Sequence, residues 1–146
     1  MDDKIQDFLN CERVAVVGVS PSKMKFGSIA YRELKKKGYT VYPVNPHMEM
    51  FDGSRCYCSL VDIEGGVEAA LISVKPPRAD AVVNDAVQAG IKHLWFQRGA
   101  DFSGAINKAG DHGIGTVSGK CLLMYAPPVG GIHRIHLFFA KLFKQY

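Results

Sequence analysis

The chain has 146 residues, 47% hydrophobic and 22% charged, with 18 basic against 14 acidic residues and a formal net charge of +4. That length and balance suit a chain that buries a core of its own, and they exclude intrinsic disorder. The positive excess favours small anions but builds no basic stripe for nucleic acid; Lys35-Lys36-Lys37 is its only basic triple, at a predicted helix end.

Arg13 to Val19 (RVAVVGV) is short and almost unbroken in its apolarity, the pattern of a strand covered on both faces. Gly27 to Lys37 reads as a helix with Ile29, Ala30 and Leu34 on one face, stopped by Gly38 in a left-handed cap. Thr40 to Val44 is a second strand, and its Pro43 argues for an end or an edge. Pro46 to Cys58 is polar and irregular, and Leu60 to Ile63 suits a short helix. Glu68 to Val74 is a third strand, followed by a helix that starts at Pro77 or Arg78 and stops at Gly90. Ile91 to Phe96 is a fourth strand, Ser103 to Ala109 a short helix ended by Gly110, and Gly113 to Val117 a fifth strand. After a Pro- and Gly-rich linker at Ala126 to Gly131, Ile132 to Phe143 reads as an amphipathic terminal helix. Strands alternating with helices predict an α/β, Rossmann-like, doubly wound parallel sheet of five strands. The expected order is 3-2-1-4-5, with helices on both faces. One domain over 1–146 is expected, with the helix at 132–144 as its extension.

Where the strand order of such a sheet reverses, ligands bind at the carboxyl ends of the strands. Gly18-Val19-Ser20-Pro21 leaves the first strand at that place. The amides of Val19 and Ser20, the Ser20 hydroxyl and the following helix N-terminus can face a phosphate, with Lys23 and Lys25 to neutralise it. The full dinucleotide fingerprint is absent, because Ser20 and Lys23 hold its later positions and the next glycine is Gly27. A turn and a tight strand–helix contact would explain Gly18 and Gly27 equally. The second strand ends in Val44-Asn45-Pro46-His47, with no carboxylate before Glu49 to hold a nicotinamide cofactor's ribose. Asn45 can bond a ribose or an adenine edge. A neutral end beside lysines favours a ribose carrying extra phosphate, as in coenzyme A and, less strongly, a phosphorylated nicotinamide cofactor. Lys75-Pro76-Pro77 adds a stiff apolar ledge that suits a thin apolar arm, with Lys75 for an anionic end; a helix begun by proline explains Pro77 as well.

With these stretches in place, the chain resembles the coenzyme A-binding domain family in its small single-domain form. It is also similar to the first domain of the succinyl-CoA synthetase alpha subunit. The likeness runs through Val14 to Ser20, Gly38 to Pro46, Cys56 to Ile63, Val74 to Pro77, Ala89 to Ala100 and Cys121. It implies that coenzyme A or an acyl-CoA lies across the carboxyl edge of the sheet. Its phosphates would meet Gly18, Val19, Ser20 and the nearby lysines, and Asn45 and Pro46 would flank the adenosine. Lys75, Pro76 and Pro77 would line the pantetheine path, with Gln97 and Gly99 near its far end. Lys25 and Ser28 stand where relatives often show arginine and proline before a serine, and Lys75 departs from several relatives.

The large synthetase needs a second domain with a phosphorylated histidine, for which this chain is too short, so ligase activity is not carried over. No residue converges on the thiol end as a base or nucleophile, and no catalytic residue is expected. A nicotinamide-dependent oxidoreductase or another nucleotide-using enzyme is the alternative. His93 sits among apolar strand residues and reads as structural. Cys121 with His133 and His136 offers three ligands without a fourth, and Cys56-x-Cys58 is not a standard zinc pair, so no metal is expected. Four cysteines, an opening Met-Asp-Asp-Lys unlike a secretory leader and no run of roughly 20 apolar residues fit the cytoplasm. The aromatic terminal helix suits docking on the sheet or a homodimer contact, with no membrane or nucleic-acid partner.

Overall fold

The computed structural model describes residues 3–22 and 24–127. The described chain begins with α1 (Asp3–Leu9), β1 (Arg13–Val17), α2 (Phe26–Lys36) and β2 (Thr40–Val44). A small hairpin of β3 (Met50–Phe51) and β4 (Ser54–Arg55) and a 3-10 turn over Leu60–Asp62 follow. Then come β5 (Ala69–Ile72), α3 (Pro76–Ala89), β6 (His93–Gln97), α4 (Ser103–Asp111), β7 (Gly115–Lys120) and a last 3-10 turn over Leu122–Met124.

Alternate residues of the strands supply two cores, because successive strand side chains point to opposite faces. Val14, Val16, Ala69, Leu71 and Trp95 pack under α1 and α2. Ala15, Val17, Ala70, Ile72, Leu94 and Phe96 pack under α3, α4 and the 3-10 turn at Leu60. The sheet therefore has helices on both faces, as the alternation of elements predicts. The helix ends also follow the sequence: Gly38 takes φ 97° after α2, and Gly90 caps α3 at φ 74°. On α2 the buried face is Ala30, Tyr31 and Leu34, whereas Ile29, expected on that face, is 38% exposed.

The strand order is β2-β1-β5-β6-β7, parallel throughout, which corrects the expected 3-2-1-4-5. The third predicted strand is β5, and it lies between β1 and β6 rather than at the edge. Its four residues are each 0% exposed, and a run so uniformly apolar needs cover on both faces and a partner on both sides. The edge place beside β2 belongs instead to Tyr57, a one-residue parallel bridge to Val44. Its amide donates to the Pro43 carbonyl at 2.9 Å, and its own carbonyl accepts from Asn45 N–H at 2.9 Å. Pro43 thus stands in the edge strand of the five.

Further elements escaped the sequence reading, the 3-10 turn over Leu122–Met124 among them. The β3–β4 hairpin lies within the stretch expected to be irregular. The short α1 buries Ile5, Phe8 and Leu9, and Phe8 meets Trp95 edge-on at 5.4 Å between ring centres. The expected helix at 132–144 lies outside the described residues.

Candidate functional site

The chain leaves β1 for β2 on one side and returns to β5 on the other, so a crevice opens between the carboxyl ends of β1 and β5. Gly18 turns out of β1 there at φ 115°, and a Cβ on it would run into the Ser73 carbonyl. A Cβ on Gly27 would run into the Gly18 carbonyl. Both glycines are therefore required by the protein's own packing, whatever the ligand.

The loop after Gly18 is held from below. Ser28 is fully buried; its Oγ accepts from Ser20 N–H at 3.0 Å and its hydroxyl donates to the Ser20 carbonyl at 2.8 Å. The Ser20 amide, expected to face a phosphate, is thus spent inside the protein, and Ser28 positions the loop rather than lining the crevice. The Ser20 Oγ accepts from Ser22 N–H at 3.1 Å, which leaves its proton to donate. The Val19 amide has no protein acceptor among the described residues. Asn45 ties β2 to the loop: its Nδ2 donates to the Val19 carbonyl at 2.7 Å and its Oδ1 accepts from His47 N–H at 2.7 Å. One amide hydrogen and one lone pair of Asn45 stay available.

Two neighbouring cavities make up the crevice. The first, about 530 Å³, is lined by the Gly18-Val19-Ser20 turn, Lys25, Phe26, Gly27, Lys75, Pro76, Arg78, Gln97, Arg98 and Gly99, among others, with no carboxylate among the described residues. Lys25 and Lys75 are the residues that precede α2 and α3, and neither helix has a side-chain cap or an acidic residue in its first turn. Two helix N-termini therefore present uncompensated positive ends here. Lys25, Lys75, Arg78 and Arg98 form no salt bridge with any described residue. The second cavity, about 430 Å³, has apolar walls of Val17, Val44, Leu60, Val74, Ala81 and Val82, joined by Pro46, Pro77, Cys58, Ser59 and Asp85. Gly18, Asn45, Val74 and Arg78 border both.

The predicted residues thus come together around one crevice, with two exceptions: Ser28 lies beneath it, and Lys23 lies outside the described residues. Pro77 turns to the apolar cavity with Asn45 and Pro46, while Lys75 and Pro76 face the cationic one with Gln97 and Gly99. The sequence reading did not name Arg78 and Arg98 as candidates, and both line the same crevice. Arg78 had a signal: a basic residue in the first turn of a helix opposes the helix dipole.

Cys11, Glu68 and His93 line a polar hollow at the opposite, amino edge of the sheet. Burial, then Glu68 and Asp7, push the Cys11 thiol up to about 11, and burial also raises Cys56, so neither thiol is ionised at neutral pH. Among the described residues no three His, Cys, Asp or Glu side chains gather as a metal site, and no helix is long and apolar enough to cross a membrane. His133 and His136 lie outside the described residues.

The geometry defines a class of protein: a parallel α/β module that receives an anionic, nucleotide-like ligand at its switch point. Residues 12–127 match the model of the CoA binding domain, and the chain belongs to that family. The family is that of the N-terminal coenzyme A-binding module of ADP-forming acyl-CoA synthetases, related to succinyl-CoA synthetase alpha, and its ligand is coenzyme A. Among curated relatives, the ADP-forming acetate–CoA ligase of Methanocaldococcus jannaschii is 30% identical over 79 residues, 54% of this chain and 11% of the ligase. The ADP-forming acetate–CoA ligase II of Archaeoglobus fulgidus is 33% identical over 90 residues, 60% of this chain and 13% of the ligase. The chain spans less than a fifth of the length of either ligase, and what it shares with them is the binding module. A solved structure described as a hypothetical protein of Pyrococcus horikoshii OT3 is 32% identical, with a TM-score of 0.80 and 92% of both chains covered. The family settles the choice between coenzyme A and a nicotinamide cofactor in favour of coenzyme A.

Proposed function

We propose that the crevice holds coenzyme A with its phosphates in the cationic cavity and its adenosine in the apolar one. Lys25, Lys75, Arg78 and Arg98, with the Val19 amide, the Ser20 hydroxyl and the ends of α2 and α3, supply the anion-binding groups, and Lys23 joins them. Asn45, Pro46 and Pro77 flank the adenosine. Lys75 and Pro76 lead the pantetheine toward Gln97 and Gly99. The observation that carries this reading is the first cavity itself: among the described residues, four cations and two uncapped helix N-termini with no lining carboxylate. Positive charge left uncompensated by the protein is stabilised when a polyphosphate enters.

On this reading the chain is a one-domain binding module over 1–146 that holds coenzyme A or an acyl-CoA and has no catalytic residue of its own. It works in the cytoplasm without a nucleic-acid partner, and the segment 132–144 joins two copies. Calorimetry on the full chain with coenzyme A and the two nicotinamide cofactors tests the ligand. Binding heat with coenzyme A is expected, with an affinity reduced on the order of tenfold by Lys25→Ala. Heat with a nicotinamide cofactor and none with coenzyme A overturns the reading. Sedimentation of the full chain tests the pairing; a monomer at all concentrations ends that part of it.

A further inference from the structure

The face that α3 turns to the apolar cavity carries charge at both ends and none between. Arg78 stands at the border with the cationic cavity, Ala81 and Val82 line the wall, and Asp85 closes the row. Seven residues of helix place Arg78 and Asp85 about 10 Å apart along the axis. Among the described residues Asp85 is the only carboxylate lining either part of the crevice. It is partly buried and makes no hydrogen bond or salt bridge with a described residue. Burial, then the like charge of its titratable neighbour Asp62 on the 3-10 turn packed against α3, raises the Asp85 carboxyl above the usual range. The carboxylate is therefore an acceptor that lacks a donor, at the far end of an apolar slot from the phosphate-binding cations. A nucleoside fits that sequence of environments: a phosphate at Arg78, apolar walls around the ring, and a hydrogen-bond donor on the ring's outer edge.

We propose that Asp85 reads the base, accepting a hydrogen bond from the exocyclic 6-amino group of adenine, so that the slot selects a 6-aminopurine over a 6-oxopurine. This rests on the coenzyme A reading given above. A 6-oxo group turns its lone pairs toward those of the carboxylate, and the apolar walls leave little water to separate them. An acceptor that is left unpaired or opposed by the wrong ligand discriminates far better than an apolar wall does.

Calorimetry on the full chain with coenzyme A and with its analogue carrying hypoxanthine in place of adenine tests this. The natural chain is expected to prefer coenzyme A by about tenfold or more, the scale of one charge-assisted hydrogen bond. In Asp85→Asn the side-chain amide can donate or accept, and the preference is expected to fall to within about threefold. Asp80→Asn, on an exposed position of the same helix outside both cavities, is expected to keep the natural preference. Equal affinity of the natural chain for both compounds overturns the role of Asp85 and leaves the coenzyme A reading standing. So does an unchanged preference in Asp85→Asn. A natural chain that binds neither compound overturns both.

Discussion

Arg78 is badly placed for stability and well placed for a ligand. In the first turn of α3 its charge faces the positive end of the helix dipole, with no carboxylate partner among the described residues. Arg78→Ala is therefore expected to leave the fold as stable or to raise its stability by about 0.3–1 kcal/mol. The same substitution is expected to weaken coenzyme A on the order of tenfold, since it removes a charged donor at the border of both cavities. Thermal melts and calorimetry on one preparation separate the two effects. Ser28 behaves in the opposite way. It lies beneath the ligand's place, yet Ser28→Ala deprives both the amide and the carbonyl of Ser20 of their partner. A loss of about 1–3 kcal/mol in stability is expected. Coenzyme A affinity should fall with it as the loop loosens, and Ser28→Thr, which keeps the hydroxyl, should recover part of the loss.

At the scale of elements, the two helices that begin at the crevice do what no single side chain does. Their N-termini lack caps and first-turn acids, a feature visible in the sequence once the helix starts are known. The helix starts were legible to within two residues: Pro77 or Arg78 was expected where α3 begins at Pro76, and Gly27 where α2 begins at Phe26. That two starts meet at one cavity was not, because it depends on where β5 lies in the sheet. The element least visible in the sequence was α1, only 7 residues long. Its Ile5, Phe8 and Leu9 have helical spacing, but so short a helix has little stability of its own and exists through its packing on Trp95 and its neighbours. Phe8→Ala is expected to cost about 3–5 kcal/mol. It should lower the melting temperature while coenzyme A affinity in the folded protein stays within about twofold, because α1 lines the amino edge of the sheet and neither cavity of the crevice. A large fall in affinity would show that the two edges are coupled.

At the scale of the whole molecule, the net charge of +4 understates the field a ligand meets. Lys25, Lys75, Arg78 and Arg98 form no salt bridge with a described residue, whereas Arg32, Lys36 and Arg55 form surface salt bridges with Asp52, Glu33 and Glu64. Affinity for coenzyme A is accordingly expected to fall on the order of tenfold between about 0.05 M and 0.5 M salt, as exposed charges are screened. A salt-independent affinity measured by titration would mean that apolar contacts dominate instead.

By itself the sequence determined the class of fold, most element positions and the chain segments that form the crevice. Alternation of apolar runs, glycine stops and proline starts are local signals, and they survive into the folded state because each strand and helix needs its own face buried. Tertiary structure decided the place of β5, because sheet order follows from which strand can be covered on both sides, and Tyr57, a single residue, holds the edge. It also decided which loop groups remain free. Gly18-Val19-Ser20 reads as a row of phosphate donors, yet the buried Ser28 hydroxyl takes the Ser20 amide, and the glycines answer to Ser73 and to each other. The positive charge at the site comes from Lys25, Lys75, Arg78 and Arg98. These residues, as many as 73 positions apart in the chain, become one site only when the sheet brings the ends of its strands to one edge.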